Sequence, residues 1–373
     1  MTVRLVRVRD EKQLWAGRFD EKFTDIFGVQ DSISEKVTRE LALELTGEER
    51  ERVTRRHTAD TKAYELYLNG RFFVSLAQPR NAIDLFEQAV RRDPDFALAH
   101  AGLADIYSRL PIATDGPSRE AIPRAKAEAL KALKIDDRLA EAYTALGWIS
   151  FYYEWDWAAS EANHRRALQI NPDDFSAHLG YAHLLSNTGR HDEAIREVDR
   201  ALAVDSRSPL ASTLKGQFLF HAHRYSEAGE QLRHTLDRTP TFWVALLQRG
   251  RSYEREGRYD EALAAFTKAR ESGGTWTPLS LIGYTYAASG QTVKAERIVW
   301  ELRSASEHAY VPPYTVALVY HGLRNTDEAM KWLERAYEER DVRMVFLGVD
   351  PLWDSVRDDP RFVTLLTRMN LTR

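Results

Sequence analysis

Eleven histidines and an excess of carboxylates are the side chains best equipped for chemistry in this chain, and their spacing does not organise them for it. His221 and His223 stand two apart and His178 and His183 five apart, whereas two imidazoles sharing one helical face for a zinc ion are spaced i, i+4. Glu48-Glu49 and Asp358-Asp359 are charge runs of the kind that face solvent. There is no Gly-x-Ser-x-Gly elbow, no phosphate loop and no His-Glu-x-x-His. With no cysteine in 373 residues, disulfides, thiolate zinc sites and cysteine nucleophiles are excluded together. Catalysis, a metal and a cofactor are therefore not expected. The sequon Asn370-Leu371-Thr372 carries no weight without a secretion signal.

The bulk numbers point the same way. The formal charge of −4 gives no basic footprint, so direct nucleic-acid binding is not expected. No apolar run reaches the ~18 residues of a membrane span. The opening MTVRLVRVRD lacks the apolar core of a signal peptide. A soluble chain is expected, in the cytoplasm, or in the periplasm if a longer parent protein carries a membrane span.

What the sequence does organise is packing. Small residues pair at a stride of twelve: Gly70 with Ala82, Ala182 with Ala194, Gly216 with Ala228, Gly250 with Ala262 and Gly283 with Ala295. Most anchors recur after 33 to 34 residues, the period of tetratricopeptide repeats. Around them the apolar residues fall three and four apart, as in Tyr64, Tyr67 and Phe73, then Ile83, Phe86 and Val90, which places them on one stripe of each of two helices. Asp93-Pro94 ends the second helix, because proline disfavours a helical conformation in the residue before it. Eight units are read at 63–96, 97–139, 140–174, 175–208, 209–242, 243–275, 276–309 and 310–341. The second unit is interrupted by about nine extra residues, and Pro111, Gly116 and Pro117 predict a loop there, with the second helix resuming at Ala125.

Both ends depart from the pattern. In residues 1–57, Val3 to Arg9 and Gln13 to Phe19 predict two strands, and Ile26, Val29, Ile33, Val37, Leu41 and Leu45 follow helical spacing. A hairpin and one helix are too little for a core of their own, so this part is expected to be weakly ordered or to complete a sheet. Its open strand edges could support self-association. In residues 342–373, Asp350-Pro351 and Asp359-Pro360 each predict a helix start. These capping helices are expected to cover the open end of the stack.

Over roughly Ala63 to Arg340 the chain resembles tetratricopeptide-repeat proteins, which implies an all-α fold: a right-handed α-solenoid, or superhelix, of helix hairpins with a short α/β remnant at the N-terminus. Three stretches are similar to a narrower group, bacterial signalling proteins that carry a TolB-like module before their repeats. They are QLWAGRFDEKFTDIFGVQDSISEKV, then LPIATDGPSREAIPRAKAEALKAL with FYYEWDWAASEANHRRALQINP, and finally YEERDVRMVFLGVDPLWDSVRDDPRFVTLLTRM. Relatives of that kind often carry a winged-helix DNA-binding, kinase or cyclase domain upstream.

The resemblance implies that the first helix of each unit lines a concave face. It assigns inward positions to Trp148, Phe151, Tyr152, His183, Asn187, Gln217, Phe220, His221, Arg251 and Arg255. Aromatics and arginine dominate interface energies, so a protein or peptide partner is the expected ligand; the alternative reading makes Trp148 and Phe151 part of the core. Arg71, Asp105 and Trp148 stand where relatives that clamp a peptide carboxylate have lysine and asparagine, which argues against that mode. The expected function is a non-enzymatic scaffold in bacterial signalling or regulation. The alternative is the sensory half of a winged-helix transcription regulator whose DNA-binding domain lies outside this chain.

Overall fold

The computed structural model describes residues 2–6, 13–18, 57–76 and 78–371, and the chain divides into two compact units, 1–99 and 100–373. In the first unit β1 (Thr2–Val6) and β2 (Gln13–Arg18) pair antiparallel, with Thr2 opposite Arg18 and Leu5 opposite Trp15. The strands pair with each other, and nothing in the structure supports self-association through them. The predicted helix around Ile26 to Leu45 lies outside the described residues. The first repeat follows as α1 (Thr61–Ser75) and α2 (Pro79–Arg92). Asp60 opens α1 by accepting from the amides of Lys62 and Ala63, which satisfies two donors that the helix itself cannot. Gly70 is small for a reason: a Cβ there would stand 2.5 Å from the Phe86 ring. Leu68, Phe72 and Leu76, spaced i, i+4, leave an exposed apolar stripe on this helix and its cap.

The boundary between the units falls within α3 (Ala97–Thr114), which pairs with α4 (Ser118–Ile135) as the second repeat. Six hairpins follow in the second unit. They are α5 (Ala140–Ile149) with α6 (Trp157–Ile170), α7 (Phe175–Asn187) with α8 (His191–Val204), and α9 (Pro209–His221) with α10 (Tyr225–Arg238). Then come α11 (Trp243–Arg255) with α12 (Tyr259–Glu271), α13 (Trp276–Ala288) with α14 (Thr292–Ala305), and α15 (Pro313–Gly322) with α16 (Thr326–Glu338). The stride of twelve has its physical cause in these pairs. A Cβ on Gly216 would meet Leu232 at 2.7 Å, and one on Gly250 would meet Phe266 at 2.5 Å. The alanines Ala194, Ala228, Ala262 and Ala295 are fully buried. The fold is an all-α solenoid of tetratricopeptide type, preceded by the small hairpin.

Two expectations are corrected. The insertion in the second repeat is not a loop down to Ala125. Instead α3 runs on through Pro111 to Thr114 and α4 starts at Ser118, leaving a turn at 115–117. Long-range contacts hold this turn. Asp115, buried and left-handed (φ 53°), accepts from the Thr275 hydroxyl at 2.5 Å and from the amides of Trp276 and Thr277 at 2.8 and 3.3 Å, so it caps α13 from 160 residues away in sequence. It also binds the Arg343 guanidinium. Ser118 donates to the carbonyl of Arg340 at 2.6 Å, satisfying the exit from α16. These contacts fix the extra residues and so remove the freedom a loop would have.

The second correction concerns the tail. Both predicted helix starts exist: Asp350 accepts from the Leu352 amide ahead of a 3-10 turn (Pro351–Val356), and Asp359 caps α17 (Pro360–Arg368). The tail does not simply cover the end of the stack. After a first 3-10 turn (Val342–Phe346) it meets several repeats, touching the first helices α7, α9, α11 and α15 through His183, His221, Arg251 and His321, and the second helices α6 and α16 through Trp157, Asp327 and Glu334. Met344, Val345, Leu347, Trp353 and Phe362 are fully buried there. A tail with this much apolar surface gains far more by lining a groove than by covering one hairpin, at about 25 cal/mol per Å² of apolar area buried.

Candidate functional site

The first helices of consecutive repeats present side chains to one common surface, and the residues assigned to it from the sequence do converge in the second unit. Trp148 ends α5, and Phe151 and Tyr152 lie in a π-helical turn (Ser150–Glu154) that follows directly. That turn inserts one extra residue and ends at Trp155 in the left-handed region (φ 56°), costly for a bulky side chain and tolerated only where packing enforces it. Trp148 stacks on Tyr152 at 5.4 Å, and His183 of α7 meets Trp148 and Phe218 edge-on at 5.5 and 5.2 Å. Further along, the Arg251 guanidinium lies 4.9 Å from the centre of the Phe220 ring.

All ten assigned residues except Arg255 are buried, and the chain's own tail is what covers several of them. Phe346 packs against His183 and His221, with ring centres 6.4 and 6.2 Å apart. Asp350 receives the Arg251 guanidinium at 2.5 Å. Asp354 lies 3.8 Å from Arg255. The Leu352 carbonyl accepts from His321 Nε2 at 2.8 Å, and the Trp353 indole donates to the Tyr314 hydroxyl at 2.8 Å while stacking on His321 at 4.6 Å. At the other end the Trp157 indole donates to the Met369 carbonyl at 2.9 Å, and Arg340 lies 4.2 Å over the Trp155 ring. Tyr314, His321, Trp155 and Trp157 complete the face and were not singled out in the sequence. The paired tryptophans of FYYEWDW were the available signal.

The match is apolar and ionic but incomplete in hydrogen bonds. Buried and unpartnered are His183 Nδ1, His221 Nε2 and Arg251 Nε, on residues the tail touches, and Asn187 Oδ1 and Glu254 Oε2 on the same helices. Burial pushes Glu254 up to about 7 and Asp341 up to about 6. It pushes His183 down to about 3 and His221 well below its usual range. Among the described residues no three histidines or carboxylates converge as a metal site requires. An open hollow on the outer side, about 500 Å³, is lined by Pro172, Asp173, His178 and Arg200. There His178 is already held by Glu197 at 2.6 Å and the Pro172 carbonyl at 2.8 Å.

His164 stands apart. It occupies the α6 position that Phe86 and Phe266 hold in other repeats, clasped between Gly147 and Gly180, and neither ring nitrogen has a partner. Burial pushes it down to about 3. Because the folded values of His164, His183 and His221 lie below the unfolded one near 6.5, the unfolded chain takes up protons first as pH falls. Each of these histidines then costs about 1.4 kcal/mol of stability per pH unit between pH 6.5 and its folded value. Glu254 and Asp341 act oppositely: their folded values are raised, so the native state gains from their protons down to their unfolded values near 4. The net acid loss therefore steepens below about pH 4.5. His164→Phe is expected to raise stability at pH 7 by ~1–3 kcal/mol, by removing two unpaired buried nitrogens, and to flatten the acid arm. Urea unfolding from pH 7 to pH 4 checks this; parallel wild-type and variant profiles would refute it.

Comparison with known proteins fits this architecture. Residues 67–115, 154–218, 243–272 and 314–341 each match tetratricopeptide repeat families. With the hairpin geometry these matches support a tetratricopeptide-repeat protein. A putative adenylate cyclase 3 of Rhizobium meliloti (strain 1021) is 32% identical over 96 residues, which is 25% of this chain, and the match spans 16% of that relative's length. A tetratricopeptide repeat protein from Parabacteroides merdae ATCC 43184 is 17% identical, covering 71% of this chain and 100% of that one with a TM-score of 0.49. A thermophilic repeat protein of Thermus thermophilus is 18% identical, covering 51% of this chain and 98% of its own, with a TM-score of 0.43. Among the described residues no helix is long and apolar enough to cross a membrane.

Proposed function

We propose that this chain is a non-enzymatic protein-interaction scaffold whose inner repeat face recognises a polypeptide segment, in a bacterial signalling or regulatory system. The observation that carries the reading is the seating of residues 342–371. The inner face holds an irregular stretch of chain through aromatic stacking, an Arg251–Asp350 ion pair and bonds to its backbone carbonyls. Those are the means by which a groove recognises a peptide. The residues proposed to bind are Trp148, Phe151, Tyr152, His183, Asn187, Gln217, Phe220, His221, Arg251 and Arg255. The stretch shared with a putative adenylate cyclase supports the signalling half of the reading. The paired strands β1 and β2 support the reading of residues 1–57 as a TolB-like remnant.

The reading is tested by a photo-cross-linking residue placed in turn at Arg255, on the rim of the inner face, and at Arg233, exposed on α10. Covalent capture of a protein from position 255 and not from position 233, in living cells, is the expected result. Capture from position 233 alone would move the binding surface to the outside of the array.

A further inference from the structure

We infer that residues 342–371 are an internal ligand of the inner face, and that the partner this face takes in trans is a protein segment of matching chemistry that displaces them. The inference rests on the scaffold reading above. The partner segment carries an aromatic residue, an aspartate or glutamate four residues later, and a second aromatic three residues after that. This is the pattern of Phe346, Asp350 and Trp353.

Four observations support it. The segment is built as a ligand is. Its elements are two 3-10 turns and a helix of nine residues, joined to the repeats at one end through Arg340, whose left-handed φ of 56° makes the turn out of α16. Elements that short are marginal alone and take their order from what they pack on. Its charges complement the face, since Asp350 meets Arg251 and Asp354 approaches Arg255. Its anchors are spread over four repeats: Phe346 touches α7 and α9, Asp350 meets α11, and Trp353 meets α15. Finally, it leaves His183, Asn187, His221, Arg251 and Glu254 each with an unpartnered buried polar atom. A groove matched only to its own tail gains nothing from those groups. A partner that satisfies them binds better than the tail does, atom for atom.

The tethered segment competes at high effective concentration, so the test weakens the tail and leaves the groove intact. A fluorescent peptide with the sequence of residues 341–371 is titrated into the full chain and into Trp353→Ala. The variant is expected to bind the peptide at least tenfold more tightly than wild type, because its own tail no longer fills the Trp353 site. Peptides with Asp350 or Phe346 replaced by alanine should lose at least tenfold of that affinity. Equal binding to both chains, or no binding to either, overturns the inference. Hydrogen exchange on the wild-type chain decides the case if the variant does not fold. Amides of residues 342–368 exchanging at least tenfold faster than those of α9 and α11 support a displaceable segment. Exchange of both at one rate makes the tail a permanent part of the core and overturns it. Capture from position 255 would keep the scaffold reading alive through that failure, and capture only from position 233 would end that reading whatever the peptide does.

Discussion

Asp115→Ala is expected to destabilise the second unit by ~3–5 kcal/mol, the cost of breaking a buried ion pair from one side. The carboxylate serves Arg343, the hydroxyls of Thr275 and Thr277, and two amides at the start of α13. Alanine leaves the Arg343 guanidinium buried with only Asp341, at 3.6 Å, to balance it. It also removes a helix cap, a change that costs ~1 kcal/mol by itself, from a left-handed position that alanine adopts poorly. Asparagine tolerates that backbone and can still cap, so Asp115→Asn should fall between alanine and wild type. Adding Arg343→Met to Asp115→Ala should restore part of the loss, because the stranded charge goes with it. Urea unfolding followed by tryptophan fluorescence measures all four chains. A loss under ~1 kcal/mol for Asp115→Ala would mean that the contact is solvated and ornamental.

Trp353→Ala should cost a similar ~3–5 kcal/mol, the range for emptying a large buried aromatic site. The indole is fully buried, stacks on His321 at 4.6 Å and on Phe362 at 6.0 Å, and donates to Tyr314. Its removal leaves both a cavity and an unpaired Tyr314 hydroxyl. Trp353→Phe keeps most of the volume and loses only the hydrogen bond, so it should cost ~1–2 kcal/mol. The damage has a place as well as a size. Hydrogen exchange should accelerate first in residues 342–371 and in α15, and last in α5 to α8, because in a stacked array each repeat feels its neighbours most. Uniform acceleration across the second unit would contradict this order.

The array itself was legible from residue types. Gly250 with Ala262, Asp93-Pro94 and the spacing of Tyr67, Phe73 and Phe86 encode contacts within one hairpin or with the next, so a period of about 34 residues carries them. The helix starts at Asp350 and Asp359 were legible for the same reason, since a cap is settled by a side chain and an amide two residues on. Of the residues assigned to a concave face, Trp148 packs against His183 and Arg251 against Phe220, contacts between neighbouring first helices that the repeat period also carries.

What lies against that surface was decided only by the tertiary structure. Asp115 meets Arg343, Ser118 meets Arg340 and Trp157 meets Met369, and each pair is more than 200 residues apart. No periodicity relates such positions, because the tail is not a repeat and its partners belong to several repeats at once. The insertion at Pro111 looks like a loop by composition and is helix, since Asp115 finds four groups of α13 and its approach that only the folded array brings within reach. Local sequence determined the helices, their pairing and the face they share. The closing of that face over the chain's own end depended on burying a tail rich in aromatic and aliphatic side chains, an effect proportional to area and blind to sequence distance.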